Sequence, residues 1–309
     1  MKVGFVLEKR SFLKFLIDIL FNLTPKDGQW KEKKYRNRFI LRLATNPIST
    51  IRYFHKLVSL DDFNKIIKIQ PNLPAKIQRP YLHKFGNYET RGNDIINHYQ
   101  IVHELSTKCK DIFYSKEPVC ISKYNGKNNE EFSIYCSPSH FDREGELMLT
   151  LYMANIVISQ LTFSFIKKDN INIIFIGALQ GAQKNIEHNV IQQATKASYG
   201  LFPKRIIIEA LYSISTSCFV YDILAVTETS HVFNHFLYKN KKRKKFLAVY
   251  SEFWNSIGGV PFYNFYKLPE KIKRKNLDDI VSKKRSEYRK RYALIDQIND
   301  EITSLLMSK

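Results

Sequence analysis

Apolar residues recur every three or four positions through the first third of the chain. They alternate with polar ones through the middle and return to the longer period near the end. A period near 3.6 marks one face of a helix and a period of two marks one face of a strand. Phe12, Phe15, Leu16, Ile19, Leu20 and Leu23 make a wide apolar helical face. Asn46-Pro47 breaks the next helical run, and Ser49 to Leu57 reads as a short helix. Ser59-Leu60-Asp61-Asp62 is a capped start for another, because short polar side chains satisfy the free N–H groups at a helix start. Pro71 to Pro74 reads as a loop. Helical spacing resumes over 91–108, with Ile95, Ile96, Tyr99, Val102, His103 and Leu105 on one side.

The texture changes near Val119. Four consecutive runs carry alternating or β-branched residues: Phe132 to Cys136, Glu146 to Tyr152, Ile156 to Phe165 and Ile171 to Ile176. The later links are short, and short links join antiparallel strands, since a parallel pair needs a long crossover. After Gly177 the spacing turns helical: Asn185 to Tyr199, ended by Gly200, then Pro203 to Ser217. A fifth strand is expected at Tyr221 to Val226, a helix at Phe246 to Ile257, a sixth strand at Phe262 to Leu268, and a long charged helix from Asn276 to about Leu306. The pattern predicts an α+β fold. A helical basic N-terminal region (1–118) precedes a core with a mainly antiparallel central sheet flanked by helices (119–275), and a basic C-terminal helix follows (276–309).

Charge sharpens this picture. Lys and Arg number 49 and Asp and Glu 29, a net charge of +20 over 309 residues, which favours anionic partners: acyl-CoA, RNA or acidic lipid. Cys109, Cys120, Cys136 and Cys218 form no CxxC or Cys/His pair, so the sequence offers no metal site and reads as a reduced, cytoplasmic protein. No apolar run is long enough to span a bilayer. Residues 12–23 follow Lys9 and Arg10 as a signal peptide's apolar region would, but Lys14 and Asp18 interrupt them and no small-residue cleavage site follows. They suit a helix packed on the protein's own core, or one lying on the anionic inner-membrane surface.

Familiar catalytic patterns are absent: no GxSxG, no GxxxxGK[ST] and no GxGxxG. His231 and His235 are four apart, but Val232 stands where a zinc protease carries Glu. Asp142, Glu144 and Glu146 gather around Arg143 at the start of a strand, a solvated turn unless burial retunes a carboxylate. Gly177 to Ala182 leads from a strand through small residues towards a helix, a layout that can aim backbone N–H groups at a phosphate or simply make a tight turn. Lys239 to Lys245 and Ser282 to Tyr292 are basic tracts, suited to solvent or to phosphate contact. Tyr288 and Tyr292 share a face of the second.

From Arg79 onwards the chain resembles the bacterial VirK/YbjX family. The matching segments include Arg79-Pro-Tyr-Leu82, Arg143-Glu-Gly-Glu-Leu147, Leu161-Thr-Phe-Ser164, Gly177-Ala-Leu-Gln-Gly181, Gly200-Leu-Phe-Pro-Lys204, Ile223-Leu-Ala-Val226, His231-Val232, Phe253-Trp254 and Tyr288-Arg-Lys-Arg-Tyr-Ala293. The resemblance implies a Gram-negative bacterial protein linked to virulence, stress response, surface-protein presentation, envelope integrity and resistance to antimicrobial peptides. It supplies no catalytic residue. The strand order also resembles a GNAT-type acyltransferase core, in which the turn after the fourth strand holds an acyl-CoA pyrophosphate on backbone amides. Here that turn has fewer glycines than usual, and two helices follow it instead of one. This is an analogy of fold, which does not by itself carry function.

Three functions follow. In the first, an acyltransferase-like core modifies an envelope or peptide amine, with Glu144, Glu146 or His231 as base and Gln180, Gly181 and Ala182 facing acyl-CoA. In the second, a non-catalytic RNA-binding regulator uses Lys283, Lys284, Arg285 and Arg289. In the third, a peripheral membrane factor for surface-protein presentation docks through 12–23.

Overall fold

The computed structural model describes residues 17–18, 28–183, 185–238 and 250–308. Most of the 12–23 stretch, the Lys239 to Lys245 tract and the start of the helix expected at Phe246 lie outside the described residues.

Helices precede the sheet: α1 (Lys33–Thr45), α2 (Pro47–Val58), α3 (Phe63–Ile69), α4 (Leu73–Lys76), α5 (Tyr88–Glu104) and α6 (Thr107–Phe113). Local chemistry sets several of their ends. Pro47 opens α2, where its missing N–H costs nothing. The side chains of Asn87 and Ser106 accept from Thr90 N and Cys109 N, capping α5 and α6.

The strands are β1 (Val119–Asn125), β2 (Glu131–Pro138), β3 (Leu147–Met153), β4 (Ile156–Lys168), β5 (Ile171–Gly181), β6 (Asp222–Val226), β7 (Val260–Phe262) and β8 (Phe265–Lys267). Between β5 and β6 lie α7 (His188–Ala197) and α8 (Pro203–Ser217). After β6 comes α9 (Ser251–Ser256), and α10 (Ser282–Met307) closes the chain. The sheet runs β1-β2-β3-β4-β5-β6-β8-β7. Its neighbours are antiparallel except β5 and β6, which pair in parallel from Ile173↔Asp222 to Ile176↔Ala225. The fold is α+β, with a mostly antiparallel sheet and a long C-terminal helix.

β4 is buried at successive positions, and both α5 and α8 pack against it. That explains why its sequence is nearly continuous in apolar residues. α10 lies along α8 and β1, and Glu301 accepts from Ser122 Oγ at 2.7 Å and from Lys123 N at 2.9 Å on the sheet's edge. One apolar core runs from Trp30 through the sheet to Leu306.

Four details depart from the sequence reading. β1 is a strand that the interrupted pattern Cys120-Ile-Ser-Lys-Tyr124 concealed, since a bulge between Cys120 and Ser122 shifts its alternation. β5 does not stop at Ile176 but continues to Gly181, with a register shift opposite Thr162/Phe163. The helix expected to start at Asn185 starts at His188. The expected sixth strand is a hairpin, β7–β8, turned at Tyr263, whose φ is 52°.

Candidate functional site

Four of the sequence segments singled out above, far apart in the chain, converge at the end of β5. Leu82 N donates to Arg143 O at 2.7 Å, Lys84 N donates to Ser230 O at 2.9 Å, and His83 bridges to His231. The stretch after Pro80 thus ties the segment before β3 to the segment after β6. That segment before β3 crosses β4 and β5 at close range. A Cβ on Gly145 would lie 2.6 Å from Phe163 O, and one on Gly177 only 1.8 Å from Glu144 O. Glycine is needed at both positions for backbone to meet backbone.

The result is a buried polar cluster. Glu144, 1% exposed, receives Gln180 Nε2 on Oε2 at 3.0 Å, and its Oε1 lies 3.5 Å from His231 Nε2. His231 Nδ1 accepts from Phe233 N at 3.3 Å, so in the neutral ring the proton sits on Nε2, facing the carboxylate. The parallel ladder ends at Ile176↔Ala225, because β6 stops at Val226 while β5 goes on to Gly181. Glu144 thus contacts Gln180, on β5 beyond the end of the ladder, and His231, in the segment after β6.

Tyr250 and Trp254, both fully buried, stack there with ring centroids 6.1 Å apart, and Trp254 Nε1 donates to Val226 O at 2.8 Å. Burial, reinforced by the Glu144 charge, pushes the Tyr250 phenol well above its usual pKa and keeps it protonated. Glu228 accepts from Tyr250 N, Ser251 N and Ser251 Oγ, which seats the start of α9.

The outer corner is open. Gly181 is exposed, and a Cβ there would meet only Lys204 Cε at 3.9 Å. Lys204 stands in the first turn of α8, and partial burial lowers its pKa. Gln180, Gly181 and Ala182 are therefore reachable beside a cation and a helix start.

Glu146 points elsewhere. Its carboxylate is held by Lys76 Nζ at 2.8 and 2.9 Å and by Tyr99 Oη at 2.6 Å, all fully buried. Burial alone would raise its pKa, but the Lys76 charge and the Lys76 and Tyr99 donors hold it below the usual carboxylate range. This is an ion pair that fastens α4 and α5 beneath the sheet. Lys283, Lys284 and Arg289 are exposed at the start of α10, whereas Arg285 Nε donates to Ile280 O at 2.9 Å. Tyr288 is covered by Arg291, 4.1 Å from its ring centroid, and Tyr292 by Arg274 at 5.2 Å, so neither ring is bare for stacking on a base.

Sequence reasoning overlooked Lys204 and Tyr250. Pro203 at a helix start was a signal for the first, since it places the next side chain in the first turn. Tyr250 carries no local signature. Among the described residues no cluster of three or more His, Cys, Asp or Glu could hold a metal, and no helix is long and apolar enough to cross a membrane.

Comparison with known proteins gives one family and relatives that cover from about half to most of the chain. A family model described as a protein of unknown function (DUF535) matches residues 28–304. The chain is 32% identical over 280 residues to the uncharacterized protein YbjX of Escherichia coli (strain K12), covering 89% of this chain and 84% of that one. An uncharacterized protein of Haemophilus influenzae (strain Rd) is 29% identical over 178 residues, 57% of this chain and 58% of its own. No solved structure matches.

Proposed function

The chain belongs to the VirK/YbjX (DUF535) family, and from that premise and the geometry of the Glu144 cluster we propose that it is a GNAT-type acyltransferase acting on a cell-envelope or peptide amine. The observation that supports this reading is the buried Glu144 carboxylate between Gln180, on β5 beyond the end of its parallel ladder with β6, and His231, in the segment after β6. The strand order and the single parallel pair suit the same fold.

The outer corner fits the phosphate end of acyl-CoA. Gly181 leaves room and Lys204 offers a cation. When bound, acyl-CoA supplies an activated acyl group as a thioester. Glu144 would take the proton from the attacking amine as the amide bond forms and the thioester C–S bond breaks, CoA leaving as the thiolate; Gln180 orients the carboxylate, and His231 Nε2 faces its other oxygen at 3.5 Å. His231 is thus a positioning group and Glu144 the base. The buried, stacked Tyr250 and Trp254 take up space beside Glu144 and Val226, which favours a short acyl group. Acylating an amine removes a positive charge from the modified surface, which suits the family's link to envelope integrity and resistance to cationic peptides.

The test is a melting curve with millimolar acetyl-CoA, followed by a transfer assay against amine acceptors. Acetyl-CoA should raise the Tm, and Gly181→Leu should remove that shift while leaving the ligand-free Tm near wild type. Glu144→Gln should keep the shift and lower kcat by about 10²–10⁴-fold, the usual contribution of a general base. A flat melting curve, or full turnover in Glu144→Gln, overturns the proposal.

A further inference from the structure

A second cleft lies in the N-terminal helical region and gathers arginines. Arg38 and Arg42 stand one turn apart on α1, and Arg79 follows α4. With Tyr35, Gln78 and Glu32 they line a space of about 220 Å³. Arg79 is set in place: its Nη2 donates to Tyr35 Oη at 3.2 Å and its guanidinium lies 5.6 Å from that ring's centroid. Gln78 is fixed through Nε2 to Phe39 O at 3.1 Å, which leaves its buried Oε1 without a hydrogen-bond partner. Arg143 stands close enough to feel the charges of Arg79 and Arg42. Its guanidinium lies 4.3 Å from the Tyr238 ring centroid, and its buried Nη1 has no hydrogen-bond partner.

Among the described residues, none of these four guanidinium groups is in an ion pair. Two carboxylates stand nearby: Glu32 in the lining, and Asp142, which lies 3.5 Å from Asn72 Nδ2. Four positive and two negative charges leave an excess of two.

Like charges held together raise one another's energy, and burying donors without partners adds to that cost. An anion that brings several acceptor oxygens relieves both. The guanidinium fork matches phosphate oxygens two at a time, and a phosphate monoester carries nearly two negative charges at neutral pH. We infer that the cleft between α1 and Arg79 binds the phosphoryl group of a phosphate monoester. The site uses neither Glu144 nor the Gly181 corner, so it stands or falls apart from the acyl-transfer reading. The ester can come from a small metabolite or from a lipid headgroup. Leu41 on α1 and Ile48 on the following helix α2, 68% and 65% exposed, make the second source worth an arm of the test.

The experiment is calorimetric titration of the full chain with glycerol 3-phosphate, beside sedimentation with vesicles of phosphatidylcholine alone or with added phosphatidic acid. The expected result is saturable binding that Arg42→Gln and Arg79→Gln each weaken at least tenfold. Lys116→Gln, which removes the same charge from an exposed site elsewhere, should leave binding intact. Among the described residues the Arg42 side chain makes no hydrogen bond or ion pair, so its variant keeps the test valid even where Arg79→Gln fails to fold. Binding of the free ester alone assigns a metabolite, and binding of phosphatidic acid vesicles as well assigns a headgroup; both uphold the site. Absence of binding in both arms, or binding that Arg42→Gln leaves unchanged, overturns it.

Discussion

Glu144 and Glu146 lie two residues apart at the mouth of one strand, yet they serve opposite sides of the sheet's end. Gly145 explains the split: its φ of 155° and its close approach to Phe163 O turn the chain between them. Glu144 then faces Gln180 and His231, and Glu146 faces Lys76 and Tyr99. The Lys76–Glu146 pair has both side chains 1% exposed. Removing one partner of such a pair strands the other charge, which costs about 3–5 kcal/mol. Lys76→Met should therefore lower stability by that amount in urea unfolding, and Lys76→Met/Glu146→Gln should cost less than the sum of the single variants. The three carboxylates beside Arg143 were visible in the sequence, but their separate surroundings were not. A pairing across about 70 positions, as between Glu146 and Lys76, leaves no local trace.

At the scale of elements, β5 shows where periodicity stops being a guide. Its first half is a plain apolar run and reads correctly as a strand, whereas its second half, Gly177 to Gly181, reads as a turn because small residues usually mark one. Gly177 is small for another reason: the Glu144 carbonyl presses against it. Gly177→Ala should force backbone apart and cost about 1–3 kcal/mol or more, the range for overpacking, with loss of any activity that depends on Glu144. Gly181→Ala should stay within about 0.5 kcal/mol of wild type, since its Cβ would touch only the mobile end of Lys204. Thermal melts of the two variants side by side check this contrast. β2 to β4 and β6 were legible because alternation and short links survive in them. β1 was not, because its bulge breaks the alternation. The β7–β8 hairpin was not, because two strands of three residues fall below the length at which a period can be counted.

At the scale of the molecule, burial sets the response to pH. It lowers the pKa of His83 and of His98 to about 4, and raises that of Asp94 to about 7. The two imidazoles are neutral in the fold, so their contribution is full above the unfolded value of ~6.5 and is lost as pH falls towards 4. Asp94 works the other way: its contribution is full below its unfolded value of ~3.9 and is lost as pH rises through 7. Stability should peak near pH 6.5. Asp94→Asn should gain up to about 4 kcal/mol at pH 8 and little at pH 4, turning the fall above the peak into a plateau in a Tm-against-pH series.

The sequence by itself determined the class of fold, the order of helix, sheet and helix, the strong positive charge and the family resemblance. Each of these depends on residue type and on neighbours a few positions away. The tertiary structure alone decided which carboxylate meets Gln180 and His231, which one is locked to Lys76, and which arginines share a cleft. Those outcomes depend on crossings of backbone at Gly145 and Gly177 that join residues scores of positions apart, and no periodicity records such a contact.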